Sequence, residues 1–293
     1  MLTAGQYGVI QSWNVQNGSA IQSWEGHTGS VAQVCWISSE SFVSVGTDKT
    51  LRHWKVSPGW RLVRTISDTA SQPLAHRMTS VSFSPDGKHL VAAGGIPSRS
   101  GELSVFEVET GKRSLHLPEA HDDAIYAVCY SPDGSRIASA GADRYVRTYN
   151  AKDGTLLRRF EGHTGYVLDV AWSSDAQTLA SAAADNSVKI WDVETADQRR
   201  TISTFKKHVT AVRFVGETSD IFCVTGNRVV RTIRTSNGGT ARTFSGAQKW
   251  LHCATLSADG NIAAVGDAAG NLYMWNVQNG QLLHRIDANP REE

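Results

Sequence analysis

The chain has 293 residues, 40% hydrophobic and 19% charged, which supplies a sizeable core and excludes a disordered polymer. Lysine and arginine number 29 against 28 aspartates and glutamates, a formal charge of +1, so nothing supports a nucleic-acid binder that works by neutralising phosphates. No apolar run reaches the ~20 residues of a membrane helix, and no basic stretch followed by an apolar core opens the chain, so neither a span nor a secretory signal is expected.

In chain order the sequence reads as short strands. The first are "LTAGQY" and the segment closing at Trp13. "SVAQVCW" follows, then "SVGTDKTLRHWK" from Ser44 to Lys55. Next come "MTSVSFS" and the turn "SPDGK", then "GGIPSRSGELSVFEVETGK" from Gly94 to Lys112. "AIYAVCY", "SPDGS" and "SAGADRYVRTYN" repeat the pattern, as do "YVLDVAW" and "SAAADNSVKIWD". "VTAVRFV", "LHCATLS", "SADGN" and "QLLHRI" complete it. β-Branched and apolar residues fill the strands, and Asp-Gly or Asp-Ala pairs mark many turns. No stretch has helical periodicity over ten or more residues.

The pattern is periodic. Each unit closes on one residue: Trp13, Trp54, Phe106, Tyr149, Trp191, Ile233 and Trp275, at gaps of 41, 52, 43, 42, 42 and 42. The long gap holds two insertions, one before Val81 and one at Ile96–Ser100. A period of about 40–45 residues with four strands each is the signature of a propeller blade. The expectation is an all-β, seven-bladed β-propeller of four-stranded antiparallel blades, forming one domain over residues 1–293. The chain begins at what should be the second strand of its first blade, so that blade should lack its innermost strand. Either the chain is a fragment, the preferred reading, or the blade has three strands and closes by packing. The tail "DANPREE" carries Pro290 and no alternating pattern, so it does not supply the strand.

The segments "EGHTGS…WK", "EAHDDA…YN" and "EGHTGY…WD" resemble WD-repeat β-propellers, although only Trp191-Asp192 is a literal Trp-Asp pair. The run Gly94–Lys112 resembles bacterial propeller modules often joined to c-type-cytochrome-like domains, but the chain has no C-x-x-C-H. The resemblance implies a buried hydrogen-bond set per good blade: His27, Ser44, Asp48 and Trp54; His121, Ser139, Asp143 and Tyr149; His163, Ser181, Asp185 and Trp191. A buried indole N–H needs an acceptor, and a hydroxyl both accepts and donates. The other blades depart, with Tyr7 in an aspartate place, Ala92 and Ala264 in serine places, and the set lost around Ile233. His, Ser and Asp also suggest a hydrolase, but one pattern at three equal spacings argues for structure. No catalytic residue, cofactor or metal site is assigned. The cluster His116, His121, Asp122 and Asp123 has no known ligand spacing.

Cys35, Cys129, Cys223 and Cys253 form no C-x-x-C pair and are expected as unpaired thiols, which favours a cytoplasmic setting without fixing the compartment. Repeat geometry places Ser30, Arg77, Ala124, Tyr166, His208 and Trp250 at one rim of a central channel. Tyrosine, tryptophan and arginine are enriched at interface hot spots. Arg77, Tyr166, His208 and Trp250 are therefore the candidate partner-binding residues, with Lys206, Lys207 and Lys249 beside them; the alternative is that the aromatics plug the channel mouth. Arg99, on the Ile96–Ser100 insertion, is expected in a loop on the same rim. Arg64, Arg158, Arg159, Arg199, Arg200 and Arg242 fall in outer strands, where charge blocks strand addition. The expected function is a non-catalytic scaffold for a protein or peptide partner, without nucleic acid or membrane, as a monomer or part of a longer chain. The alternative is an accessory domain of a larger oxidoreductase or cytochrome-like protein, positioning a substrate or partner.

Overall fold

The computed structural model describes residues 1–5, 7–15, 17–38, 40–55, 61–66, 74 and 76–287. The insertion expected before Val81 lies partly outside the described residues, and the tail 288–293 wholly so. Among the described residues all regular structure is β-strand, in seven antiparallel sheets. Sheet one holds β1 (Leu2–Ala4), β2 (Ile10–Trp13) and β3 (Ala20–Trp24). Sheet two holds β4 (Val31–Ser38), β5 (Ser41–Gly46), β6 (Leu51–Lys55) and β7 (Arg61–Thr65). Sheet three holds β8 (Met78–Phe83), β9 (His89–Ile96), β10 (Ser100–Glu107) and β11 (Arg113–His121). Sheet four holds β12 (Ile125–Tyr130), β13 (Arg136–Gly141), β14 (Val146–Asn150) and β15 (Leu156–Phe160). Sheet five holds β16 (Val167–Trp172), β17 (Thr178–Ala183), β18 (Val188–Asp192) and β19 (Gln198–Ile202). Sheet six holds β20 (Val209–Phe214), β21 (Asp220–Thr225), β22 (Val230–Arg234) and β23 (Thr240–Phe244). Sheet seven holds β24 (Leu251–Leu256), β25 (Ile262–Asp267), β26 (Asn271–Asn276) and β27 (Leu282–Asp287). This is an all-β, seven-bladed propeller whose first blade has three strands. Two compact units, Met1–Asp143 with Thr148–Leu157 and Arg144–Arg147 with Arg158–Glu293, divide the chain within sheet four.

Each strand follows from its residues. The second strands are buried on both faces and are rich in small and apolar residues, as in β17, "TLASAA". The outermost strands are mostly open to solvent, as in β19, where four polar residues precede buried Ile202. A register shift recurs after the first residue of each sheet's opening strand from sheet two onward, as between Val167 and Asp169 or Val209 and Ala211. Such bulges raise local twist. Aspartate closes the turns after the opening strands: the hydroxyls of Ser84, Ser131, Ser173 and Ser257 donate to Asp86, Asp133, Asp175 and Asp259 at 2.5–2.6 Å.

The cores lie between neighbouring sheets. In the first unit Val43, Leu51, Val81, Leu90 and Phe106 join sheets two and three. In the second, Val188, Ile190, Val212 and Ile233 join sheets five and six, while Phe222, Phe244, Tyr273 and Trp275 join six and seven. Each such side chain contributes about 1.5–3 kcal/mol by leaving water. No helix of the described residues is long and apolar enough to cross a membrane.

The Ile96–Ser100 insertion is a correction to its expected loop. It lengthens β9 and β10 to eight residues each, and only residues 97–99 turn. The Asp123 carboxylate fixes that turn by accepting the Ser98 N–H at 2.6 Å, so ladder bonds continue almost to its tip.

Candidate functional site

The polar sets run through sheets two, four and five. His27 Nδ1 meets Asp48 at 2.9 Å, His27 Nε2 meets Ser44 Oγ at 2.7 Å, and the Trp54 indole donates to Ser44 Oγ at 2.8 Å. His163, Asp185, Ser181 and Trp191 repeat this at 2.8, 2.7 and 2.8 Å. One directed chain satisfies every group: Trp N–H to serine oxygen, serine O–H to Nε2, and Nδ1–H to carboxylate. That chain needs a neutral imidazole. Burial accordingly lowers the His27 pKa, with Asp48 pulling the other way. Burial also penalises the Asp48 and Asp185 carboxylates, but their histidine and Thr50 or Ser187 hydrogen bonds outweigh it and hold both below the usual range. Ser44, Ser139 and Ser181 are 0% exposed, so none presents a nucleophile to a substrate.

Sheet four corrects the expected set. His121 meets Asp143 at 2.9 Å and Ser139 at 2.7 Å, but the Tyr149 hydroxyl donates to the Ala120 carbonyl at 2.5 Å. A phenol carries its oxygen at the ring tip, beyond the serine that an indole's lateral N–H reaches. Other blades are satisfied differently. Thr3, ten residues before Trp13, accepts its indole N–H at 2.8 Å, while Tyr7 is exposed. In sheet seven Trp275 pairs with Ala263, which puts Val265, not Ala264, in the serine place. The Trp275 indole donates to the Ser245 carbonyl, and buried Asp267 accepts from Tyr273 and Asn271 at 3.0 Å.

Two devices tie neighbouring sheets, and neither is legible in the sequence as a bond. Near the start of the opening strands a side chain accepts a backbone N–H of the next sheet: Gln33 from Val81, Ser80 from Val128 and Asp169 from Val212, at 2.7, 3.0 and 2.9 Å. At the outer strands, arginines donate to carbonyls in the next sheet's last turn: Arg158 to Glu194, Arg200 to Ser236 and Arg242 to Asn279, at 2.9, 2.7 and 3.0 Å. The 42-residue recurrence of these arginines was the available signal. Of the others, Arg159 lies over the Tyr145 ring and Arg199 pairs with Asp192.

Ser30, Arg77, Ala124, Tyr166, His208 and Trp250 each stand one residue before an opening strand. Every one of their carbonyls accepts a backbone N–H from the end of the second strand or the turn after it: Thr47, Gly95, Ala142, Ala184, Gly226 and Ala268, at 2.8–3.1 Å. The backbone at these positions is thus fixed while the side chains differ. Arg77, Tyr166, His208 and Trp250 are exposed, whereas Ala124 is buried. In the second unit His208 and Trp250 meet in a T-shaped contact, centroids 5.9 Å apart. Gly226 makes room for the indole, since a Cβ there would lie 2.4–2.6 Å from three Trp250 ring atoms. Trp250 is nevertheless 38% exposed and Tyr166 52%. Arg77 belongs to the first unit.

The same chain matches the family described as WD domain, G-beta repeat, over residues 18–55, 63–106, 112–150 and 154–192, more than half its length. It is 31% identical over 172 residues to the Periodic tryptophan protein 2 homolog of Schizosaccharomyces pombe, covering 52% of this chain and 19% of that protein. It is 28% identical over 159 residues to human Pre-mRNA-processing factor 17, covering 53% and 26%, and 25% identical over 158 residues to chicken WD repeat-containing protein 1, covering 53% and 24%. The matched segments thus span about a quarter or less of each relative. With periodicity, sheet topology and family match in agreement, the chain belongs to the WD-domain, G-beta-repeat family.

Proposed function

We propose that residues 1–293 form a single WD-repeat domain that acts as a non-catalytic interaction scaffold, holding a protein or peptide through Tyr166, His208 and Trp250 of the second unit. The observation that carries this is Trp250, an exposed indole packed over Gly226 and against the His208 ring. A large apolar side chain already ordered loses little freedom on binding, which favours affinity. The three His-Ser-Asp trios support a non-catalytic role, because each serine is enclosed by its own hydrogen bonds. The test is capture of partners from lysate by wild type and by Tyr166→Ala/Trp250→Ala, with circular dichroism confirming the fold. Loss of the captured proteins from the double variant is expected; unchanged capture overturns the reading.

A second reading, an accessory domain of a larger oxidoreductase, rests on the likeness of Gly94–Lys112 to bacterial propeller modules joined to cytochrome-like domains. The complete reading frame decides it: a C-x-x-C-H motif or a catalytic domain in the same frame favours this reading, and a frame with neither removes it.

A further inference from the structure

We propose that the partner segment held by Tyr166 and Trp250 is an extended acidic peptide carrying an aromatic or large apolar residue. This rests on the interaction reading above and adds the partner's chemistry. In sheets five to seven, antiparallel order brings the segments entering the opening strands and the turns after the second strands to the same end. That end carries exposed Lys206, Lys207, Arg228 and Lys249. Arg228 reaches the Gln248 carbonyl at 3.4 Å, two residues from Trp250. Among the described residues Lys206, Lys207 and Lys249 make no ion pair. The anions nearby are engaged: Glu161 with Arg159 at 3.5 Å, Asp185 with His163 at 2.8 Å, and Asp267, buried, with Tyr273 and Asn271. The end of these three sheets therefore carries four exposed cations against two carboxylates, Asp185 and Asp267, that face their own hydrogen-bond donors, a positive balance around two exposed aromatics, while the chain as a whole is nearly neutral. Charge complementarity selects acidic partners and speeds their encounter. Single-stranded RNA, the other polymer that suits lysine and aromatic side chains, stacks its bases on open ring faces. The Trp250 ring is contacted by both Gly226 and His208, which favours the peptide.

The test is fluorescence anisotropy with the full chain and three labelled probes: a short peptide of alternating glutamate and phenylalanine, its counterpart with glutamine for every glutamate, and oligouridylate. The glutamate peptide is expected to bind about tenfold more tightly than its glutamine counterpart, as three or four weak exposed ion pairs provide. Lys206→Gln/Lys207→Gln/Lys249→Gln should remove that advantage, and the matching arginine triple should keep it. Gly226→Ala, which drives a methyl into the indole, should weaken binding of both peptides. Equal binding of the two peptides, tighter binding of oligouridylate, or indifference to the glutamine triple overturns the proposal. If the glutamate peptide has no advantage while Tyr166→Ala/Trp250→Ala still loses captured proteins, the charge assignment fails and the interaction reading stands. If the glutamate peptide binds wild type and Trp250→Ala equally, the anchor assignment fails with it.

Discussion

Replacing one serine in two different sheets tests the hydrogen-bond chain directly. In Ser181→Ala the lost hydroxyl leaves two buried groups without their partner, the Trp191 N–H and His163 Nε2. In Ser139→Ala it leaves only His121 Nε2, because the Tyr149 hydroxyl is bonded to the Ala120 carbonyl. An unsatisfied buried polar group costs about 1–3 kcal/mol. Ser181→Ala should therefore destabilise by roughly 2–6 kcal/mol and Ser139→Ala by roughly 1–3. Ser44→Ala should match Ser181→Ala, since Ser44 also holds both an indole and an imidazole. The assay is urea unfolding with comparison of midpoints at constant m-value. Hydrogen exchange of the Trp191 indole adds a local readout: the N–H should exchange faster in Ser181→Ala than in wild type. The reasoning is refuted if Ser139→Ala costs as much as Ser181→Ala, or if Ser181→Ala stays within about 0.5 kcal/mol of wild type, the range of an ordinary surface change.

The outer-strand arginines should behave as latches rather than as mere surface charge. Arg200→Ala should lower stability by about 0.5–1.5 kcal/mol, and Arg158→Ala and Arg242→Ala by similar amounts; calorimetry showing no shift in all three would contradict this. Acid should destabilise the fold in two stages. The His27 pKa lies below its ordinary 6.5, so as pH falls past that value the unfolded chain takes up a proton that the folded chain refuses, and stability drops. Asp48 and Asp185 lie below their ordinary 3.8, so their contribution, present above that value, is lost on further acidification. Urea midpoints from neutral to acid pH read both stages; a midpoint that rises as pH falls from 7 towards 5 would contradict the first.

The repeat by itself determines most of the fold. Strand alternation and turn residues are local signals, so seven closing positions about 42 residues apart were legible along the chain. The trios were legible for a related reason: each binds residues of a single repeat, such as Ser181 and Trp191 ten apart, at an offset that recurs from blade to blade. What escaped depends on contacts between repeats or on side-chain shape. Val81 finds Gln33 across 48 positions, and Arg158 finds Glu194 across 36, because sheet packing sets two strands side by side. Ring shape sent Tyr149 past its serine, and ladder register moved the serine place in sheet seven from Ala264 to Val265. The candidate surface divides in the same way. The sequence determined that Tyr166, His208 and Trp250 occupy one recurring position, because the repeat numbers them. Only the tertiary structure decided that Trp250 is held ready, because Gly226 comes to the ring from a neighbouring sheet and its missing side chain matters only there.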